Sequence, residues 1–119
     1  MQVRRSPRRG EIWWVNLDPT VGAEIKKIRP AVILSSDAVG KLPIRIVAPV
    51  TGWQDRFAHQ SWFVRLMPDK TNGLTKMGGV DTLQIRGVDE QRLVKRLGVL
   101  AAETVDEIAV TVAMVIDCP

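Results

Sequence analysis

The apolar positions change rhythm several times along the chain. Over residues 11–17, Ile12, Trp13, Trp14 and Val15 are strong strand formers, though they alternate only loosely. Asp18-Pro19-Thr20 and Gly22 mark a turn, and residues 21–28 read as a charged loop. Arg29-Pro30 opens a second strand, since the missing proline N–H costs least at a strand's first residue. Residues 31–34 are wholly apolar, which suits a strand covered on both faces. Ser35, Ser36 and Asp37 end it. Residues 43–51 predict a third strand with Ile44, Ile46, Ala48 and Val50 on one side. Residues 60–66 predict a fourth and residues 79–85 a fifth, separated by a loop holding Asn72-Gly73 and Gly78-Gly79. Asp89 is suited to cap a short helical turn at 90–92, and Gly98 tips residues 95–100 toward strand.

Only the last segment has a sustained helical period. Val105, Ile108, Ala109, Val112, Val115 and Ile116 fall on one face, and Glu103, Asp106 and Glu107 sit near the start, where the helix dipole favours acids. Val110, Ala113 and Met114 are apolar on the other side. Such a helix is buried on two faces or takes part in a subunit contact. The expected fold is mainly β with a C-terminal helix: a small, curved barrel of five to seven short strands. Residues 1–9 are expected to be a flexible basic arm and residues 10–119 a single domain.

Charge changes this picture in one respect. The 119 residues carry 17 Lys and Arg against 13 Asp and Glu, a net +4. The arm alone holds Arg4, Arg5, Arg8 and Arg9, so the rest of the chain balances to zero. Within it, residues 26–56 carry six bases against two acids, whereas residues 89–119 carry three against six. A basic first half suggests one face for a polyanion.

Several chemistries are excluded. One cysteine, Cys118, cannot form an intrachain disulfide or a Cys-rich zinc site. One histidine, His59, cannot supply a His-x-x-x-His motif or a two-histidine nuclease site. There is no phosphate-binding glycine loop. The scattered acids hold no metal-ligand pattern, so no metal or cofactor is expected. The longest nearly apolar run, residues 108–116, is far below the about 20 residues of a membrane span. No secretory signal is present, so a cytoplasmic chain without a membrane partner is expected.

Three polar residues stand at informative places. Glu24 lies in the first loop, Arg29 at the mouth of the covered strand, and Thr51 at the end of the third strand. Each also has a plain structural explanation: a solvated loop charge, a snorkelling strand end, a turn cap. The residues around them carry a resemblance. Arg9-Gly10-Glu11-Ile12-Trp13, then Leu17-Asp18-Pro19-Thr20, Gly22, Glu24, Arg29-Pro30, Ala31-Val32-Ile33-Leu34-Ser35 and Pro49-Val50-Thr51, resemble the MazF/PemK (Kid) family of toxin endoribonucleases. Gln84-Ile85-Arg86 with Val88-Asp89 is similar to that family's later segment. Residues 9–51 are the specific part, and the second half matches mainly in pattern.

The resemblance implies an SH3-like barrel of the plasmid-maintenance toxin type, forming a homodimer. It implies metal-free, sequence-specific cleavage of single-stranded RNA, chiefly mRNA. The implied partner is a cognate MazE-like antitoxin with an acidic, partly disordered segment. In such cleavage the 2′-OH attacks phosphorus, leaving a 2′,3′-cyclic phosphate and a 5′-OH. Cations must hold the extra negative charge. Arg29 suits that role, because a guanidinium grips two phosphate oxygens. Thr51 can donate to a non-bridging oxygen or position the 2′-OH. Glu24 is the general-base candidate, or it orients Arg29. Lys26, Lys27, Trp53, Arg56, Phe57, Gln84 and Arg86 are the RNA-binding candidates, the aromatics by base stacking. One departure is Leu83, where many relatives carry an acid; Asp81 lies two residues earlier on the same strand face. Two other readings remain: a non-enzymatic toxin that poisons gyrase as the CcdB group does, and an inactive nucleic-acid-binding SH3-like module.

Overall fold

The structure is a computed structural model and describes residues 6–119. Seven strands are formed among the described residues: β1 (Glu11–Asn16), β2 (Ile28–Ile33), β3 (Ile44–Gly52), β4 (Phe63–Leu66), β5 (Gly78–Asp81), β6 (Arg86–Asp89) and β7 (Leu93–Val99). One helix, α1 (Ala102–Val115), follows. The antiparallel order is β4-β5-β3-β2-β1-β7, with β6 also paired to β3.

β3 is the pivot. Its first half pairs with β6, from Ile44↔Asp89 to Val47↔Arg86, and its last with β5, from Val50↔Val80 to Gly52↔Gly78. β2 runs along its other side, from Ile33↔Val47 to Ala31↔Pro49. A strand that changes partner along one edge turns a corner, and register shifts between β1 and β7 add further bend. The sheet therefore curls into the expected barrel-like form without closing.

Alternation divides the core. Ile12, Val32, Ala48 and Val50 face α1, where Val105 and Ile108 meet them. Val15, Ala31, Ile33 and Val47 face the opposite way and pack with Leu17 and Val88. Ala31, Val32 and Ile33 are all fully buried, so β2 is covered on both faces as its apolar run predicts. Each large side chain sealed in this way contributes about 1.5–3 kcal/mol.

Four sequence expectations change. Pro30 is the third residue of β2 rather than its first; it pairs with Trp14, and pairing to β3 begins only at Ala31. Residues 79–85 are not one strand, because the Leu83 N–H donates to Asp81 Oδ1 at 3.1 Å and winds Thr82–Gln84 into a 3-10 turn. Ile44 and Ile46 share a face with Ala48 and Val50 but remain about half exposed. The outer side of α1 is likewise uncovered, with Val110 and Met114 exposed, so this chain does not bury the helix on two faces. No helix among the described residues is long and apolar enough to cross a membrane.

The arm expected over residues 1–9 is pinned at its far end, while Arg4 and Arg5 lie outside the described residues. Arg9 donates its N–H to Asp37 Oδ1 at 2.8 Å and its Nε to Leu34 O at 3.2 Å. Pro7 is buried, and its carbonyl accepts from Arg45 Nε at 3.3 Å. Arg45 is itself sealed inside, paired to Glu90 at 3.2 Å and donating to the Gly40 and Ile44 carbonyls at 3.1 and 2.9 Å. One buried cation thus ties the arm's end, the turn before β3 and the residues after β6. Removing one partner of such a pair costs about 3–5 kcal/mol.

Candidate active site

The β2–β3 register brings Arg29 and Thr51 to the same end of the two strands. The pairing Ile33↔Val47, Val32↔Ala48, Ala31↔Pro49 stops two residues short of each. Both line one cleft of about 420 Å3, shared with Trp14, Lys27, Leu74 and Lys76. The guanidinium is steadied through its Nε, which donates to Lys26 O at 3.3 Å. Among the described residues, the Thr51 hydroxyl and the Lys27 and Lys76 ammonium groups have no partner. Lys27, Arg29 and Lys76 line the cleft and no carboxylate does. Three cations without a resident counter-ion favour an anionic ligand.

The tryptophan pair splits as strand alternation requires. Trp13 packs on the second core, and Trp14 faces the cleft. Lys27 closes the β1–β2 loop with φ +73°, a backbone region uncommon for a side chain of its length. The loop ends are stitched there by Leu17 N–H donating to Lys27 O at 3.0 Å.

Glu24, Gln84 and Arg86 lie in a neighbouring cleft of about 430 Å3, not with Arg29 and Thr51. Its floor includes Pro49, two residues before Thr51 on the same face of β3. The polar heads here are engaged. Glu24 Oε1 accepts from the Val21 N–H at 2.6 Å. Gln84 is held at both ends, its Oε1 accepting from Ile25 N–H at 2.5 Å and its Nε2 donating to Ala23 O at 3.1 Å. Arg86 donates to Leu17 O at 2.9 Å. Gln84 and Arg86, two of the RNA-binding candidates, brace the β1–β2 loop. Beside them Leu83 is exposed, while Asp81 is buried. Burial pushes the Asp81 carboxyl above its usual range, against hydrogen bonds from Leu83 N–H and Gln84.

The two aromatic candidates lie outside the lining of the Arg29 cleft. Phe57 belongs to a 3-10 turn (Asp55–His59) and is buried, stacked on Phe63 with centroids 3.8 Å apart and planes 6° from parallel. It has no face left for a base. Trp53 sits edge-on to Phe57 at 5.5 Å with Arg65 over its ring at 5.4 Å, outside the lining of the Arg29 cleft. Arg56 and Lys26 are exposed, Arg56 lying 5.5 Å above the Phe57 ring. His59 and Cys118 are exposed too. No cluster of three metal-ligating side chains occurs among the described residues.

The sequence reading missed one wall of the cleft, Leu74 to Gly78, with Lys76 on it. Periodicity gives no sign of it, because the wall is an irregular loop brought in by contacts with β7.

Residues 8–116 match the family model described as the PemK-like, MazF-like toxin of type II toxin-antitoxin system. Endoribonuclease MazF9 of Mycobacterium tuberculosis is 36% identical over 101 residues, covering 80% of this chain and 83% of that protein. The crystal structure of MazF (Form-I) from Deinococcus radiodurans superposes with a TM-score of 0.81 at 25% identity, over 96% of this chain and 99% of that one. An endoribonuclease in complex with its cognate antitoxin, from a mycobacterial species, has the same fold with a TM-score of 0.75 at 20% identity, over 96% and 98% of the two chains.

Proposed function

From a chain that belongs to the PemK-like, MazF-like family of type II toxin–antitoxin toxins, with relatives that are endoribonucleases, we propose a nuclease that cuts single-stranded RNA, chiefly mRNA, at a preferred sequence without a metal ion. The observation that carries this reading is that Arg29 and Thr51, at the shared end of β2 and β3, line one cationic cleft.

A scissile phosphate seated there has its two non-bridging oxygens within the domain of a guanidinium fork and a free hydroxyl. The 2′-oxygen bonds to phosphorus and the P–O5′ bond breaks. Negative charge grows on the non-bridging oxygens, and Arg29 stabilises it most when it is greatest. The 2′-OH proton leaves to solvent and the departing O5′ takes one back, the cleft being open to water. Arg29 is assigned to charge stabilisation and not to proton donation, because a guanidinium holds its proton too tightly.

Glu24 is better read as a positioning residue than as the base. Its carboxylate caps the turn that leads to Lys26, and the Lys26 carbonyl steadies Arg29. The chain is further proposed to act in the cytoplasm as a homodimer, its exposed Val110 and Met114 on α1 favouring a second copy. It is proposed to be held in check by a cognate antitoxin, as the mycobacterial endoribonuclease is found with its own, and the cationic cleft would take an acidic segment of it.

The test is incubation of a long unstructured RNA with the protein in EDTA, with mass spectrometry of the fragment ends. Cyclic-phosphate and 5′-hydroxyl ends are expected. Intact RNA, or cleavage that chelation stops, overturns the proposal.

A further inference from the structure

The geometry points to Lys76 as a third substrate-binding cation, anchoring a backbone phosphate of the RNA across the cleft from Arg29. The inference rests on the endoribonuclease reading of that cleft. Lys76 belongs to neither strand of the Arg29–Thr51 pair. It enters from the loop between β4 and β5, on the far side of β3 from β2 in the sheet order.

Three observations carry it. First, the ammonium lies beside the reacting end of β3. A Cβ built on Gly52 would stand 3.4 Å from Lys76 Nζ and 3.6 Å from Cε. Gly52 follows Thr51 directly, so the ammonium lies within van der Waals reach of the residue next to the Thr51 hydroxyl. Second, Lys76 makes no ion pair or hydrogen bond among the described residues, and no carboxylate lines its cleft. A cation with no internal counter-ion is available to a phosphate.

Third, the loop that carries it is built to hold position. Asn72 is buried, its Nδ2 donating to Met67 O at 2.8 Å and its Oδ1 accepting from Leu74 N–H at 3.0 Å. Asp69 Oδ1 accepts from the Thr71 and Asn72 N–H groups, both at 2.8 Å. The loop is pinned to the sheet by Val99 N–H on Thr71 O at 2.9 Å and Trp53 N–H on Met77 O at 3.1 Å. Backbone meets backbone at two glycines. A Cβ on Gly98 would fall 2.4 Å from the Asn72 carbonyl carbon, and one on Gly73 would fall 2.3 Å from Leu97 O. Only glycine permits that approach. A latch of this kind fixes the wall on which Lys76 stands, so the ammonium is presented without a large ordering cost.

The deciding experiment measures binding and cleavage side by side. Binding uses a labelled mixed-sequence 2′-O-methyl oligoribonucleotide, which lacks the attacking hydroxyl, titrated at several salt concentrations. Cleavage uses the long unstructured RNA under single-turnover conditions. Lys76→Met should weaken binding about five-fold, the scale of one partly exposed ion pair. It should lower the slope of log K against log salt by about 0.7, the share of one released counter-ion on a single strand. Cleavage below saturation should fall in step with affinity, and Lys76→Arg should restore both. Gly98→Ala should weaken binding as Lys76→Met does if it remains folded; Lys76→Met decides the matter if it does not. Unchanged affinity and slope in Lys76→Met would overturn the anchor, as would a loss of cleavage rate with binding intact. If wild type binds but does not cleave, the nuclease reading fails and this inference with it.

Discussion

Two clefts of nearly equal size lie side by side along β3, and their polar groups are used in opposite ways. In the first, Thr51, Lys27 and Lys76 are without partners among the described residues, and Arg29 spends only its Nε on the protein. In the second, Glu24 and both ends of Gln84 are bonded to backbone, and Arg86 holds Leu17 O. A hydrogen-bonding group spent on the fold is not available to a ligand without a loss of about 1–3 kcal/mol. On the proposed reading the first cleft is the reactive one, and the second braces the β1–β2 loop. Residue type alone does not make that distinction, since both clefts hold an arginine.

The sharpest way to break this contrast is at Arg29. Arg29→Met should reduce the cleavage rate by about 10²–10³-fold, the usual loss when one group that stabilises transition-state charge is removed. Circular dichroism and thermal midpoint should stay near wild type, because the side chain spends only one hydrogen bond on the protein. A variant that cleaves at the normal rate would move the reaction elsewhere.

The first half of the molecule was legible from its residues because its contacts are local or follow strand register. The apolar run at Ala31, Val32 and Ile33 announces a strand covered on both faces, and Arg29 and Thr51 sit at ends of strands whose bounds are read to within a residue or two. The second half was less legible for identifiable reasons. Asp81 caps the Leu83 N–H and breaks a strand whose composition looks continuous. Phe57 is buried by stacking on Phe63, a contact that a polar-looking loop does not advertise. The wall bearing Lys76 depends on Gly73 and Gly98 meeting β7 and loop backbone, which no pattern along the chain reports.

The brace makes a smaller and different prediction. Gln84→Leu strands the Ile25 N–H and Ala23 carbonyl, so the loop before Arg29 loosens. KM should rise about ten-fold with kcat less affected. Glu24→Gln keeps an acceptor for the Val21 N–H and should leave the rate within about three-fold, with an unchanged pH profile. A general base would lose about 10²–10⁴-fold. A loss on that scale in Glu24→Gln would restore Glu24 to the chemistry.

The smallest effect concerns Asp81, which caps the turn carrying Leu83 and Gln84. Its carboxyl is raised above the ordinary 3.8 by burial, so the folded chain holds that proton more tightly than the unfolded one. The stability it contributes is present below the ordinary value and is lost as pH rises through the raised one. Asp81→Asn removes that loss while keeping an acceptor for the Leu83 N–H. Its thermal midpoint at pH 7 should exceed wild type by about 2 °C, and the gap should close near pH 3. A lower midpoint at pH 7 would mean that the carboxylate stabilises the turn.

The most direct test of the central claim is a double-mutant cycle between Arg29 and Thr51 in single-turnover RNA cleavage. Two groups gripping one phosphate fail together, so Arg29→Met with Thr51→Val should be little slower than Arg29→Met alone. Losses that multiply in full would mean that the guanidinium and the hydroxyl act independently, and that the reacting phosphate does not sit between them.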